Sequence, residues 1–182
     1  DCYNCQLSYV AEPKKLFSNY LYLSSTSSSF VKHFQSAAKK YKNIFKLPIH
    51  AQIIDIGSND GIALKAFKDL GFKNILGIEP TDTIKLAKRK GIKTVQDFFN
   101  IKSALKAKNG NGKAKIITTT NVFAHTNNLK QFISGVKKLI SKDGIFVIEN
   151  HYLLDVVKKT QFDTFYHEHL RTYSLKSLIK LL

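Results

Sequence analysis

Residues Tyr166-His167-Glu168-His169 place a phenol, two imidazoles and a carboxylate in four consecutive positions. Proton abstraction requires such a set: a base that titrates near neutrality, a carboxylate to orient it, and a donor for developing oxyanion charge. Two further groups, Asn121-Val122-Phe123-Ala124-His125 and Glu149-Asn150-His151-Tyr152, each follow an apolar run. A metal site is the competing reading, but His167-Glu168-His169 lacks the helical H-E-x-x-H spacing that places two imidazoles on one face. A polar surface loop is the bland alternative.

A second constellation precedes these. Ile53-Ile54-Asp55-Ile56-Gly57-Ser58-Asn59-Asp60-Gly61 runs from an apolar strand pattern through an acid and two glycines into a helical pattern. Backbone N–H groups at such a strand–loop–helix junction face the polar end of a bound ligand. Eighteen residues after Gly61, the run Ile75-Leu76-Gly77-Ile78 closes on Glu79, where an acid ordinarily holds a ribose diol. A dinucleotide loop would carry a glycine where Asn59 stands, and Asp60 would repel a pyrophosphate. Asp60 suits a ligand with an ammonium group, and Asp55 is placed to orient the loop. S-adenosylmethionine fits, having an α-ammonium, a sulfonium and a ribose but no phosphate. Asp97-Phe98-Phe99, after the third apolar run, offer a polar group and an aromatic face for adenine. Core packing for Phe98 and Phe99, and plain turn formation for Asp55 and Asp60, stay open.

The elements that must position these groups alternate from Gln52 onward. Strands are expected near 52–56, 74–78, 92–95, 115–120 and 144–149, with amphipathic helices near 61–70, 82–90, 98–107, 129–141 and 173–182. Apolar strands separated by helices specify right-handed crossovers, a parallel sheet and an α/β fold. Asn109-Gly110-Asn111-Gly112 reads as a surface turn. Ahead of this, residues 30–45 repeat at helical spacing and Pro48 follows. Residues 1–29 are polar and aromatic, and the run Ser24 to Ser29 suits either a flexible linker or an ordered loop beside Tyr20 and Tyr22.

Of 182 residues, 43% are hydrophobic, enough to fill one domain's core. No apolar run reaches the ~18 residues of a membrane span, and no leader pattern opens the chain; both point to a cytoplasmic location and no membrane partner. The net charge is +16, yet the only arginines are Arg89 and Arg171 and the lysines are scattered. Nucleic-acid recognition favours arginine's rigid fork, so nucleic acid is not an expected partner. Cys2 and Cys5 are the only cysteines. Their C-x-x-C spacing reads as half a zinc site, a redox motif or two incidental thiols. A redox pair would sit at a helix start beside a βαβ pattern, and this one does not.

Four ordered blocks together carry a resemblance: Asp55 to Gly61, Gly77-Ile78-Glu79-Pro80, Asn121 to His125, and Phe162-Asp163-Thr164-Phe165-Tyr166-His167-Glu168-His169-Leu170. Over nearly its whole length the chain resembles the S-adenosylmethionine-dependent C-methyltransferases that act on nucleotide-linked 4-keto-6-deoxy sugars. The resemblance implies a Rossmann-like class I methyltransferase fold, a parallel sheet with flanking helices. It implies His169 as general base, Tyr166 and Glu168 as substrate-positioning and enolate-supporting groups, and His125 on the same pocket. Tyr20, with Tyr22 as runner-up, would reach the nucleotide-sugar. Asp55, Gly57, Asn59, Asp60, Gly61, Glu79, Asp97, Phe98 and Asn121 would surround the donor. The family also carries an N-terminal four-cysteine structural zinc module, of which Cys2 and Cys5 would be the second half. Two thiolates do not close a tetrahedral site, so zinc is expected only in an intact protein. The absence of methionine, the opening inside that cysteine pair and the stop inside a helical pattern predict a fragment lacking the last strands. Residues 1–29 are then a remnant of the zinc module with a substrate loop, and 30–182 the donor-binding core. A class I methyltransferase for another small molecule and a basic RNA-binding methyltransferase are the alternatives.

Overall fold

Apolar runs buried on both faces require cover above and below, and the chain supplies it with helices on each side of a parallel sheet. A computed structural model describes residues 2–18, 20 and 22–182; Asp1, Asn19 and Leu21 of the N-terminal stretch lie outside the described residues. In chain order the elements are β1 (Asn4–Gln6), α1 (Pro13–Phe17), α2 (Ser28–Ile44), β2 (Ile53–Ile56), α3 (Ile62–Asp69), β3 (Ile75–Ile78), α4 (Ile84–Arg89), β4 (Lys93–Val95) and α5 (Ile101–Asn111). They continue with β5 (Ala114–Thr120), α6 (Leu129–Leu139), β6 (Ile140–Glu149), α7 (Leu153–Lys158), β7 (Arg171–Tyr173) and α8 (Leu175–Leu181). Among the described residues, no helix is long and apolar enough to cross a membrane.

The main sheet has the order β4-β3-β2-β5-β6, with every neighbouring pair parallel. The chain moves outward from β2 to β4 and then returns to lay β5 beside β2. The crossovers therefore diverge between β2 and β5, which opens a crevice at their carboxyl ends. Ile54 and Ile56 join Leu76, Phe123, Phe132 and Leu139 in one apolar cluster. Ile53 turns to the other face, where Leu64, Phe67, Phe72 and Ile116 pack with Ala38 of α2. β1 pairs antiparallel with β7, Cys5 opposite Thr172, as a separate two-stranded sheet.

Three local features depart from the sequence expectation. Asn109 to Asn111 do not form a turn; they are the last residues of α5, which ends at Gly112, whose φ of 77° closes the helix with an N–H bond of 2.8 Å to the Lys108 carbonyl. α5 also begins later than expected, because Asn100 and Ser103 form a reciprocal cap at its start. That leaves Phe98 and Phe99 ahead of the helix, free to face the crevice. β6 begins at Ile140 directly after α6, and its pairing jumps from Ala114↔Ile140 to Ile116↔Ile145, so Ser141 to Gly144 form an irregularity.

One glycine decides whether the β2–α3 loop can lie over β3. Gly77 is level with Asp55 in the ladder, and a Cβ there would stand 2.4 Å from Ser58 Oγ and 3.1 Å from Thr94 Oγ1. We expect Gly77→Ala to destabilise the fold by about 1–3 kcal/mol through overpacking. Urea denaturation checks this; an unchanged midpoint would show that Ser58 moves aside freely.

Candidate active site

The loop Gly57–Gly61 turns from β2 to α3 by using backbone conformations that few side chains tolerate. Gly57 has φ 71° and packs so closely on Val122 that a Cβ would lie 2.2 Å from its Cγ2. Asn59 adopts φ 49°, a left-handed conformation that asparagine visits more readily than most residues. Its N–H donates to Glu79 Oε2 at 2.9 Å, while Thr81 N–H donates to Glu79 Oε1 at 2.9 Å. The Asn59 side chain reaches the N-terminal segment, donating to the Tyr22 carbonyl at 3.0 Å and accepting the Ser24 N–H at 3.2 Å. The serine run is thus ordered: Ser24–Thr26 form a 3-10 turn on this loop, and Ser27 caps α2.

Over the crevice lies a cavity of about 1030 Å³. Asp55, Gly57, Asn59, Glu79, Phe98 and Asn121 line it. Asp60, Gly61 and Asp97 do not. Asp60 is fully buried and its carboxylate is taken by the protein's own cation, Lys90 Nζ at 3.0 Å, together with the Ser25 hydroxyl. The ammonium partner expected from a ligand is therefore supplied by a lysine. Gly61, at φ 82°, caps α3 where a Cβ would strike Ile92 Cδ1 at 2.6 Å, so its part is packing. Asp97 falls in the bend after β4, while Phe98 turns inward and meets Phe17 edge-on at 6.1 Å. Phe99 lines the cavity and also packs on Phe132 at 4.7 Å, so both readings of it hold.

Asp55 has no cation beside it among the described residues. Its Oδ1 accepts from Thr118 Oγ1 at 2.7 Å, as the level pairing of Asp55 with Thr118 dictates. Burial pushes its carboxyl up to about 7, the Thr118 bond opposes this, and Glu79 and Glu149 add to the rise.

Opposite the acids stand three imidazoles. His169 is 7% exposed, and its Nδ1 lies 2.8 Å from the Thr164 carbonyl. A carbonyl only accepts, so Nδ1 carries the proton and the neutral ring presents Nε2 as an acceptor. The Tyr166 hydroxyl, 3.2 Å away, donates to it. Burial holds His169 below the usual histidine range, partly offset by the Thr164 bond, and charge on His151 adds to the lowering. His125 is brought down to about 4 by burial first, then by His169 and His151. Its Nε2 is buried with no hydrogen-bond partner among the described residues. Burial and the neighbouring Glu168 raise the phenols of Tyr166 and Tyr20. Tyr20, Tyr22, Tyr166, Glu168, His125 and His169 all line the cavity.

Sequence reading missed one residue here and singled out another without a role. Phe17 of α1 stacks on His125 at 6.0 Å and forms part of the cavity wall; nothing in its local sequence distinguishes it from a core phenylalanine. His151 stands 4.8 Å from His169, centroid to centroid. Its signal was position, two residues past the acid that closes β6.

Cys2 and Cys5 are exposed free thiols at β1. Among the described residues no three histidines, cysteines or acids gather in a metal-binding group, and two thiols alone do not fit tetrahedral zinc.

A family model described as "Methyltransferase domain" matches residues 30–182. The chain belongs to this methyltransferase family. It is 29% identical over 181 residues to the C-methyltransferase NovU of Streptomyces niveus, covering 99% of this chain and 43% of that protein. The chain thus spans under half the length of this curated relative. A SAM-dependent methyltransferase from Archaeoglobus fulgidus superposes with TM-score 0.65 at 17% identity, over 83% of this chain and 66% of that one. The plantazolicin methyltransferase BpumL, solved with SAH and a triazolic desmethylPZN analog, gives 0.65 at 16% identity, over 87% and 64%. The fold is that of a Rossmann-like class I methyltransferase.

Asp55 makes a testable contribution to stability. Its carboxyl is raised from 3.8 unfolded to about 7 folded, so the native state holds a proton that the unfolded chain has lost. Stability from this group is full below 3.8 and is lost as pH rises to about 7. We expect Asp55→Asn to gain on the order of 1–3 kcal/mol over the parent at pH 8 and little near pH 4. Denaturation at both pH values checks this; a gain of equal size at each would refute the titration.

Proposed function

We propose that the protein transfers a methyl group from S-adenosylmethionine to the carbon next to the keto group of a nucleotide-linked deoxysugar. The observation that carries the reading is the neutral His169, anchored at Nδ1 by Thr164 and presenting Nε2 beside Tyr166 in the same cavity as the β2–α3 loop. The family match and the identity to a C-methyltransferase support it.

The residues present fit the donor. Asp55 and Glu79 line the cavity with no cation beside them among the described residues, whereas Asp60 already has Lys90. A ligand with a sulfonium and an ammonium supplies the missing positive charge, and Glu79 suits the ribose hydroxyls. Gly57, Asn59 and Asn121 would border the donor, with Phe98 against the adenine. When bound, the donor supplies an electrophilic methyl group.

The acceptor carbon becomes nucleophilic only after losing a proton. His169 Nε2 takes that proton, and the Thr164 carbonyl stabilises the ring once it is charged. Tyr166 and the unpaired His125 Nε2 offer donors for the oxygen that gains charge. Glu168 and Tyr20, with Tyr22 at the rim, hold the sugar, and the aromatic wall of Phe17 and Tyr20 excludes water. Cys2 and Cys5 would serve as two of four zinc ligands in a longer protein.

The deciding assay incubates a 4-keto-6-deoxy sugar nucleotide with the protein and donor and weighs the product. Failure to form a methylated sugar in the full-length enzyme would sink the reading. We expect His169→Gln to slow transfer by about 10²–10⁴-fold, and to stop exchange of the α-proton with deuterium oxide, while donor affinity by calorimetry is unchanged. Donor affinity itself should strengthen as pH rises through about 7, because the ionised Asp55 binds a cation better. Calorimetry across that range would show a flat profile if Asp55 does not face the donor.

A further inference from the structure

His151 is the imidazole that the proposed chemistry leaves without a task. Its backbone is held on both sides. Glu149 before it accepts the Asn121 N–H at 2.8 Å, and Tyr152 after it bridges to Tyr173 of β7. The ring lines the cavity and tilts by 50° against the ring of His169, with 4.8 Å between centroids. His125 packs on the same base at 5.1 Å from the turn after β5. The other ionisable groups that line the same cavity are Glu12, Lys14, Tyr20 and Tyr22 of the N-terminal segment, Asp55 and Glu79 at the strand ends, and Asp163, Tyr166 and Glu168 of the loop that carries His169. Arg171 of β7 is directed to the Thr126 carbonyl at 2.6 Å.

We propose that His151 is a positioning residue for the base: once protonated, it sets a like charge against the ring of His169 and leaves Nε2 with its lone pair. This rests on His169 being the base. Two close imidazoles cannot both hold a proton cheaply. His169 is the more enclosed of the two rings, and His151 sits at the more open position, where water can screen a charge. Burial lowers His169, the Thr164 bond opposes this, and charge on His151 adds to the lowering. An apolar ring in place of His151 would fill the same space and lack the effect.

The test follows the ring C–H resonances of His169 by NMR as pH is varied, in the parent protein and in His151→Gln, His151→Phe and His151→Lys. His169→Gln assigns the signal. Removing charge in the Gln and Phe variants should raise the His169 midpoint by about half a pH unit or more, the repulsion of two charges ~5 Å apart in a water-like medium. Glutamine keeps a polar head and phenylalanine keeps the ring, so a folding defect in one leaves the other readable. Lysine keeps the charge and should hold the midpoint at or below that of the parent. An unchanged midpoint in both neutral variants, or an equal rise in the lysine variant, overturns the proposal. The titration needs no substrate, so a failed sugar assay would refute the proposed function without touching this result. With substrate, the acid limb of the kcat–pH profile should move to higher pH in His151→Gln, since the base then holds its proton longer; loss of kcat without that movement would mean a purely structural role.

Discussion

The carboxylate of Glu79 is the point on which the site depends. Two backbone N–H groups, from Asn59 and Thr81, spend themselves on its two oxygens, and a carboxylate held by backbone donors keeps one orientation. The bond to Asn59 fixes a left-handed residue that would otherwise cost about 1–2 kcal/mol. With its backbone so held, the Asn59 amide is free to tie down Tyr22 and Ser24, thirty-five and more residues away in sequence. One strand-end acid thereby sets the loop, and the loop sets the aromatic segment that roofs the cavity. The β2–β5 divergence of the sheet decides where this happens, and Gly77 gives the loop room.

Charge is distributed around the cavity with a clear division. Asp60 is neutralised by Lys90 away from the lining, while Asp55 and Glu79 face the cavity without such compensation. A buried acid without a cation destabilises the empty protein and favours any cationic ligand, a trade common at functional sites. On the far side, crowding and burial keep His125 and His169 neutral. The same low-dielectric setting that makes Asp55 hard to ionise makes the imidazoles hard to protonate.

Much of this was legible in the chain. Period and punctuation located the five parallel strands because each is an apolar run between amphipathic stretches. Their parallel pairing follows from the helices between them, and the strand-end residues Asp55, Glu79 and Asn121 follow from the strand bounds; the strand order does not. What was not legible depended on tertiary pairing. Asp60 stands in a ligand-like loop, but the sequence does not say that Lys90, thirty residues on, will claim it. Asn109 to Asn111 have turn chemistry, yet α5 runs through them because Gly112 supplies a better stop. Phe17 was silent, and His151 stood in a polar group without a role, because an aromatic or an imidazole becomes part of a site only through what folds against it.

The pairing of β1 with β7 joins residues 4–6 to 171–173 and so closes a loop that holds the whole main sheet. Such a contact is the slowest kind to form, since the intervening loop's entropy is lost before any local gain. During vectorial synthesis β1 must wait, without β7, until residues 171–173 have left the ribosome. The sheet can assemble beforehand from neighbouring units. The N-terminal wall of the cavity is tied first by Asn59, through Tyr22 and Ser24, and gains its second anchor only when β7 arrives.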